Sequence, residues 1–445
     1  DWAPELRWLA SPTAMFTLSS EYFAENRRNG TVLQVNATRL RQIALRGAVA
    51  RAGEWSGSAF AQGEDFDANF SAVAADRNSE RLTLEQHVPA RAQGGALDWT
   101  LARSGWALTA GGSYAHIAAD DVETAPPNLL TPAREENGRQ RLAGGFAEAS
   151  WSPRADWSWT ATLRQDHWRN FDAFQNTPSG LTAYPARSSA AWSPALGTVW
   201  NARNWLALRA SGYESFRAPT LNELYRPFRA GNVLTEANPL LAAERYRGAQ
   251  AGAEARLGRG LRLLANYFDG DISNLVASVT LTATPALITR QRQNLGRARS
   301  RGETLEASWA ARPGLEVWSS YTHLDANVLD AAVPALIGLA VPHVPRNNFS
   351  ARALASHRGW TGSVVERFGG SNFDDDQNRL PLPGFWTTDL YLSRSIGPFH
   401  GETLAPYVAV ENLWNRRFAI ELTPDADLNS PRALTAGARL SWGGR

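Results

Sequence analysis

The chain of 445 residues contains no cysteine, a single methionine and no lysine. Without cysteine there is no disulfide framework, no thiol nucleophile and no thiolate zinc site. Without lysine all 45 basic residues are arginine, for which codon bias is explanation enough. Long apolar runs are missing as well. No stretch approaches the ~18 apolar residues that a membrane-crossing helix requires, so helical spans are excluded. An excess of charge of one sign is also missing. The 45 basic and 43 acidic residues leave a formal net charge of +2, and no arginine block is long enough to suggest nucleic acid as a partner. No leader sequence is visible before Asp1-Trp2, which reads as the start of a mature or truncated chain.

What the chain has instead is tryptophan, 18 in all, in a sequence whose mean hydropathy is only −0.35. Amphipathic strands with one lipid face and one wet face produce this combination, and tryptophan collects at the two bilayer interfaces. A tryptophan-rich soluble β-protein is equally compatible with composition alone. Alternation with period 2 runs through the sequence. Leu434, Ala436, Ala438, Leu440 and Trp442 fall on one face, and Thr435, Gly437, Arg439 and Ser441 on the other. Trp157, Trp159, Ala161 and Leu163 oppose Ser158, Thr160, Thr162, Arg164 and Asp166. Charges at every second position suit a polar lumen better than a dry core.

Connections sort into two classes. Tight turns are expected near 153–155, 201–203, 258–260, 312–314, 357–359 and 396–398. Between them lie long polar loops, expected near 119–139, 170–186, 216–243, 274–292, 327–344, 369–385 and 415–431. Outer-membrane barrels alternate short periplasmic turns with long extracellular loops in this way. The expected fold is therefore all-β: a transmembrane antiparallel β-barrel of about 22 strands, about 21 of them in this chain. The early strands are expected at 13–25, 30–37, 40–50, 55–63, 67–76, 79–88, 93–102 and 106–118, with residues 1–12 in an extracellular loop.

The run Phe216-Arg217-Ala218-Pro219-Thr220-Leu221-Asn222-Glu223-Leu224-Tyr225, followed by Asn238-Pro239-Leu240-Leu241 and Glu244-Arg245, resembles the best-marked barrel segment of TonB-dependent outer-membrane receptors. Further matches are Phe23 to Thr31, Arg164 to Trp168, Arg301-Gly302-Glu303 with Glu306, Val410 to Phe418, and Pro431-Arg432 before the last strand. The resemblance implies a receptor that captures a scarce nutrient, usually a ferric siderophore or cobalamin, in the outer membrane of a Gram-negative-type bacterium, beside lipid and lipopolysaccharide. In that family a plug domain closes the barrel and carries the segment gripped by the TonB energy-coupling protein. No plug is found here, so all of 1–445 reads as barrel and TonB is a partner only where a plug is present. The family usually finishes on an aromatic residue, whereas here Trp442 is followed by Gly443, Gly444 and Arg445. Two alternatives are an unplugged passive wide-pore channel and a soluble β-rich adhesion or carbohydrate-binding protein.

No catalytic constellation is present. The seven histidines, at 87, 116, 167, 323, 343, 357 and 400, form no pair at metal-ligand spacing, and an enzyme is not expected. Sites for bulky solutes combine aromatic faces with a few placed charges. Arg217, Tyr225, Arg226, Phe228 and Arg229 supply both within one loop, and arginine forks match carboxylate, catecholate or phosphate oxygens. The same segment also suits a purely structural role at the barrel rim. With Arg134 and Arg379 on other loops, the outer mouth is expected to be basic. A calcium ion is expected, if anywhere, at Asp374, Asp375 and Asp376 or at Asp425, Asp427 and Asn429, whose hard oxygens suit it. Arginines near the outer interface are alternatively placed to meet lipopolysaccharide phosphates.

Overall fold

A computed structural model describes residues 2–74, 76–284, 286–399, 402–423 and 426–442. Its main sheet has 21 strands, and a smaller sheet of four is built from loop segments. The chain falls into two compact units. One comprises Asp1–Leu196, Tyr213–Glu244 and Val276–Asn294; the other comprises Gly197–Gly212, Arg245–Leu275 and Leu295–Arg445.

In the first unit, Glu5–Ser11, Ala14–Arg28, Val35–Ala50, Glu54–Val73, Glu80–Arg103, Trp106–Ala125, Asn128–Arg154 and Trp157–Thr177 pair in succession, all antiparallel. Several are long, with 24, 27 and 21 residues in Glu80–Arg103, Asn128–Arg154 and Trp157–Thr177. A tilted strand crosses a bilayer in about 9–11 residues, so these hairpins project well beyond it at one end. One face of the ladder is exposed and, toward the short turns, apolar. Trp55, Leu97, Trp106, Leu108, Trp151, Trp157 and Leu163 lie on it. Trp55 pairs with Trp99, and Trp106, Trp151 and Trp159 form a continuous cross-strand row beside the short turns.

The second unit repeats the pattern. Leu261–Ser273, Arg297–Arg312, Leu315–Asp330, Asn347–His357, Trp360–Gly369, Phe385–Arg394, Glu402–Glu411 and Ala433–Trp442 follow one another antiparallel. Its short turns need special backbone. Gly314 has φ 79°, and a Cβ there would collide with the Ser356 carbonyl oxygen. Leu434, Ala436 and Leu440 pair with Val410, Val408 and Leu404 on the exposed apolar face, while Tyr407 stacks on Tyr391 on the other.

The structure changes several expected boundaries. The polar stretch 119–139 is no loop. It is the far end of the hairpin Trp106–Ala125 and Asn128–Arg154, because its charges alternate and meet across the ladder. Expected strands 55–63 and 67–76 are one strand, as are 79–88 and 93–102. Gly63 pairs within the ladder to Arg41 and Arg91, and Pro89 is accommodated where no pairing to Trp106–Ala125 forms. Residues 1–12 are not the expected extracellular loop: they include the strand Glu5–Ser11, joined by a tight turn to Ala14–Arg28. The count of 21 agrees, although partly different strands make it up.

The register predicts a positional effect. Arginine in place of Ala438 should destabilise the assembled protein by about 2–4 kcal/mol near the bilayer midplane, whereas Thr435→Arg, on the opposite face, should be mild. Heat-modifiable gel migration of the two variants reads the difference, and equal effects would contradict this register.

Candidate functional site

The Tyr213–Glu244 segment folds against the inner wall of the first unit at the end away from the short turns. Thr220 caps the helix Leu221–Tyr225. Its hydroxyl accepts from the Glu223 N–H while the Glu223 carboxylate accepts from the Thr220 N–H, a reciprocal box worth about 1 kcal/mol. Arg217 bridges Glu223 at 2.9 Å and Glu244 at 2.5 Å. Hydrogen bonding to these two carboxylates raises its already high pKa further. Glu244 in turn accepts from the Val276 N–H at 2.7 Å. Pro219 and Leu224 are fully buried, and the Pro219 carbonyl accepts from Gln140 at 2.9 Å. Phe216 stacks on Trp168 at 5.1 Å. Tyr225 packs with Ala173, Leu224 and Leu241 and against the Tyr184 ring at 5.2 Å. Gly138 makes this approach possible, since a Cβ there would lie 3.0 Å from the Tyr225 ring.

Beneath the segment lies a buried polar cluster that the sequence reading did not assemble. Asp121 is 2.6 Å from Arg226, Glu123 is 2.6 Å from Arg134, and Glu136 is 3.2 Å from the same guanidinium. Gln86 donates to Asp121 at 2.9 Å, Gln175 donates to Glu136 at 2.7 Å, and Arg134 reaches the Pro227 carbonyl at 3.2 Å. Three carboxylates thus face two guanidiniums. Burial pushes Glu136 up to about 7, with Asp121 and Glu123 adding to the effect against Gln175 and Arg134. Burial likewise raises Glu123, against the pull of Arg134. The usable sequence signal was the alternation of Asp121 with Glu123 and of Arg134 with Glu136.

The five expected ligand contacts are therefore distributed as follows. Arg217 is ion-paired on both sides, Tyr225 is buried, and Arg226 is tied to Asp121. Phe228 packs edge-on against Phe70 at 6.2 Å and lies under the Arg226 guanidinium at 5.4 Å. Arg229 is exposed on the short strand Phe228–Ala230, where its Nε donates to the Gly231 carbonyl at 3.2 Å. That strand pairs with Val233–Glu236, which pairs in parallel with Ile288–Asn294. Arg292 fastens the layer from the other side, donating to the carbonyls of Asn222 at 2.7 Å and Arg226 at 2.9 Å. Arg134 faces carboxylates rather than the mouth, and Arg379 is exposed.

The candidate calcium residues organise loops. Asp374 is buried, accepts from Thr423 at 2.7 Å and lies 3.4 Å from His343. Asp375 accepts from the backbone of Arg379 and Leu380, both at 2.8 Å. Asn429 accepts from the Phe418 N–H at 3.0 Å and donates to the Arg416 carbonyl at 3.0 Å. Asp427 is exposed, and Asp425 lies outside the described residues. Among the described residues no three His, Asp or Glu side chains converge on a cation position.

An alternating all-β ladder, a tryptophan row beside short turns and a folded rim segment define an outer-membrane receptor barrel. Residues 5–413 match the TonB dependent receptor-like β-barrel family, and the chain belongs to it. It is accordingly a protein of the Gram-negative outer membrane, in a family of receptors and not of enzymes, and the soluble adhesion alternative falls. The apolar face is the lipid face and the polar face the lumen wall. Among curated proteins it is similar to the heme/hemopexin utilization protein C of Haemophilus influenzae, with 25% identity over 51% of this chain and 34% of that one. The chain thus spans about a third of that relative's length. Among solved structures it resembles the copper transporter OprC, with a TM-score of 0.81 and 14% identity over 99% of this chain and 71% of that one. It also resembles the ferric yersiniabactin uptake receptor of Yersinia pestis, with a TM-score of 0.74 and 13% identity over 98% and 69% of the two chains.

Two outcomes follow from the buried cluster. Arg226→Ala strands Asp121 beside two other acids and should lower stability by about 3 kcal/mol, read as a lower heat-modification midpoint, whereas Arg229→Ala should change it little. Glu136 binds its proton more tightly folded than unfolded. Its contribution is therefore complete below the ordinary carboxylate range and is lost as pH rises through about 7. Hydrogen exchange of segment 213–244 should accordingly be slower at pH 5 than at pH 8 after correction for intrinsic rates, and Glu136→Gln should flatten that difference.

Proposed function

We propose that this chain is the barrel of a receptor that takes up a bulky anionic iron chelate, of the ferric siderophore or heme class, driven by TonB. On this reading residues 1–445 are barrel throughout, and the gate and coupling segment belong to a plug outside them. The mounting of Arg229 carries the proposal. This exposed arginine stands on a loop sheet that is pinned to the wall by Arg217, Arg226 and Arg292, so its position is fixed before a ligand arrives. Among the described residues only its Nε is engaged, by the Gly231 carbonyl, and a placed guanidinium favours carboxylate or catecholate ligands over a neutral solute such as cobalamin. Two similar proteins, one named for heme/hemopexin utilization and one for ferric yersiniabactin uptake, support this class.

Quenching of the abundant tryptophan fluorescence by ferric siderophores, heme and cobalamin tests the reading. A ferric siderophore or heme should bind, more weakly at high salt, and Arg229→Ala should lose about tenfold in affinity. Preference for cobalamin, or an Arg229→Ala variant with unchanged affinity and salt dependence, would overturn it.

A further inference from the structure

On the lipid face of the first unit three residues stand in one cross-strand row: His116 pairs with Arg141, and Arg141 with Arg169. Two arginines directly opposite each other repel and cost stability, yet neither is given an acid. Both guanidiniums lie over a single ring, Phe171, at 4.6 and 5.7 Å, and neither has a carboxylate partner among the described residues. Asp172 is engaged instead by Arg139 at 3.9 Å. His116 stacks on the same Phe171 at 6.1 Å with 15° between planes, and its Nε2 is buried without a hydrogen-bond partner. Arg141 and Arg169 are exposed. A pair of like charges held over one aromatic ring, with an unsatisfied ring nitrogen beside it, lacks an anion.

The height of the row identifies the source of that anion. Its three residues lie on the same strands as Trp106, Trp151 and Trp159, which form the parallel tryptophan row near the short turns. The two rows are about ten residues apart, or ~33 Å of strand, and a tilt of about 35–45° turns this into ~25 Å, the height of a barrel's apolar band. Between them the lipid face is mostly small and apolar: Ala143, Gly145, Ala147 and Ala149 on one strand, and Ala161 and Leu163 on the next, where Gln165 and His167 are the polar residues on the side of the arginine row. The tryptophan row marks one interface and the arginine row sits at headgroup level in the opposite leaflet. That leaflet is on the side of the long connections, which faces outward.

We propose that Arg141 and Arg169, on their Phe171 platform with His116, form a binding site for a phosphate of an outer-leaflet glycolipid, lipopolysaccharide. Two planar forks at one point clamp phosphate oxygens, and the ring below takes the sugar or the guanidinium stems. The site rests on the membrane placement of the barrel and is independent of what the lumen transports.

The full chain extracted in detergent from lipopolysaccharide-bearing outer membranes tests this. Retained lipopolysaccharide, quantified per chain, should fall at least about tenfold in R141Q/R169Q and stay unchanged in R103Q/R154Q, which alters arginines at the other interface. Equal retention in a folded R141Q/R169Q protein, verified by heat-modifiable migration, would overturn the site. A second arm needs no variant. The wild-type chain freed of lipid should rebind lipopolysaccharide, and dephosphorylated lipopolysaccharide at least about tenfold more weakly. Equal binding of the two, or displacement by millimolar inorganic phosphate, would also overturn it.

Discussion

Water is missing from the middle of a bilayer, so every backbone N–H and C=O that crosses it must find a partner in the chain itself. Most other features of this structure follow from that constraint. It forces an antiparallel ladder whose registers run through whole strands, as between Trp106–Ala125 and Asn128–Arg154. The ladder fixes a two-residue period, and that period separates a lipid face of alanine, leucine and tryptophan from a wet face of serine, threonine and charge. Once the backbone is satisfied, side chains are free to be small. Gly145, Ala147 and Ala149 can face lipid because burial of large side chains is not what holds the strands together.

At the far end the constraint relaxes and side-chain chemistry takes over. There the chain must hold a long connection still without a hydrophobic core of its own. It does so with charge and hydrogen bonds in layers: Arg217 between Glu223 and Glu244, Arg226 on Asp121, and Arg292 on two carbonyls of the helix turn. The small apolar contribution is concentrated at Tyr225, Leu224 and Leu241. Such a clamp keeps Arg229 in place, which reduces the ordering cost of meeting a large ligand. Burial, with Asp121 and Glu123 adding to it, pushes Glu136 in this cluster up to about 7.

The architecture was legible because period-2 patterning and loop sorting are local signals. Leu434 to Trp442 reads as a strand with one apolar face, and the strand Ala433–Trp442 forms there. The hairpin ends were not legible by polarity. Asp120 to Arg139 reads as loop by composition, but cross-strand pairing of its acids with Arg134 makes it strand, and pairing partners are not visible in a single strand's sequence. Gly63 and Pro89 misled in the same way, as breakers that the ladder absorbs. For the candidate site, the chemistry of Arg217, Tyr225 and Arg226 was legible but its direction was not. An arginine destined for a buried carboxylate and one presented to a ligand look alike until Asp121 or Glu244 is placed beside it. The row of His116, Arg141 and Arg169 needed three registers at once.

Because the chain has no cysteine, single cysteines introduced along 142–149 can each carry a unique spin label. Accessibility to dissolved oxygen, which concentrates in lipid, and to a water-soluble nickel chelate can then be compared in a reconstituted bilayer. The structure predicts that labels at Ala143, Gly145, Ala147 and Ala149 favour oxygen while those at Leu142, Gly144, Phe146 and Glu148 favour the chelate, in strict alternation. Uniform accessibility along the segment, or alternation in the opposite phase, would contradict the assignment of the apolar face to lipid, on which the barrel reading stands.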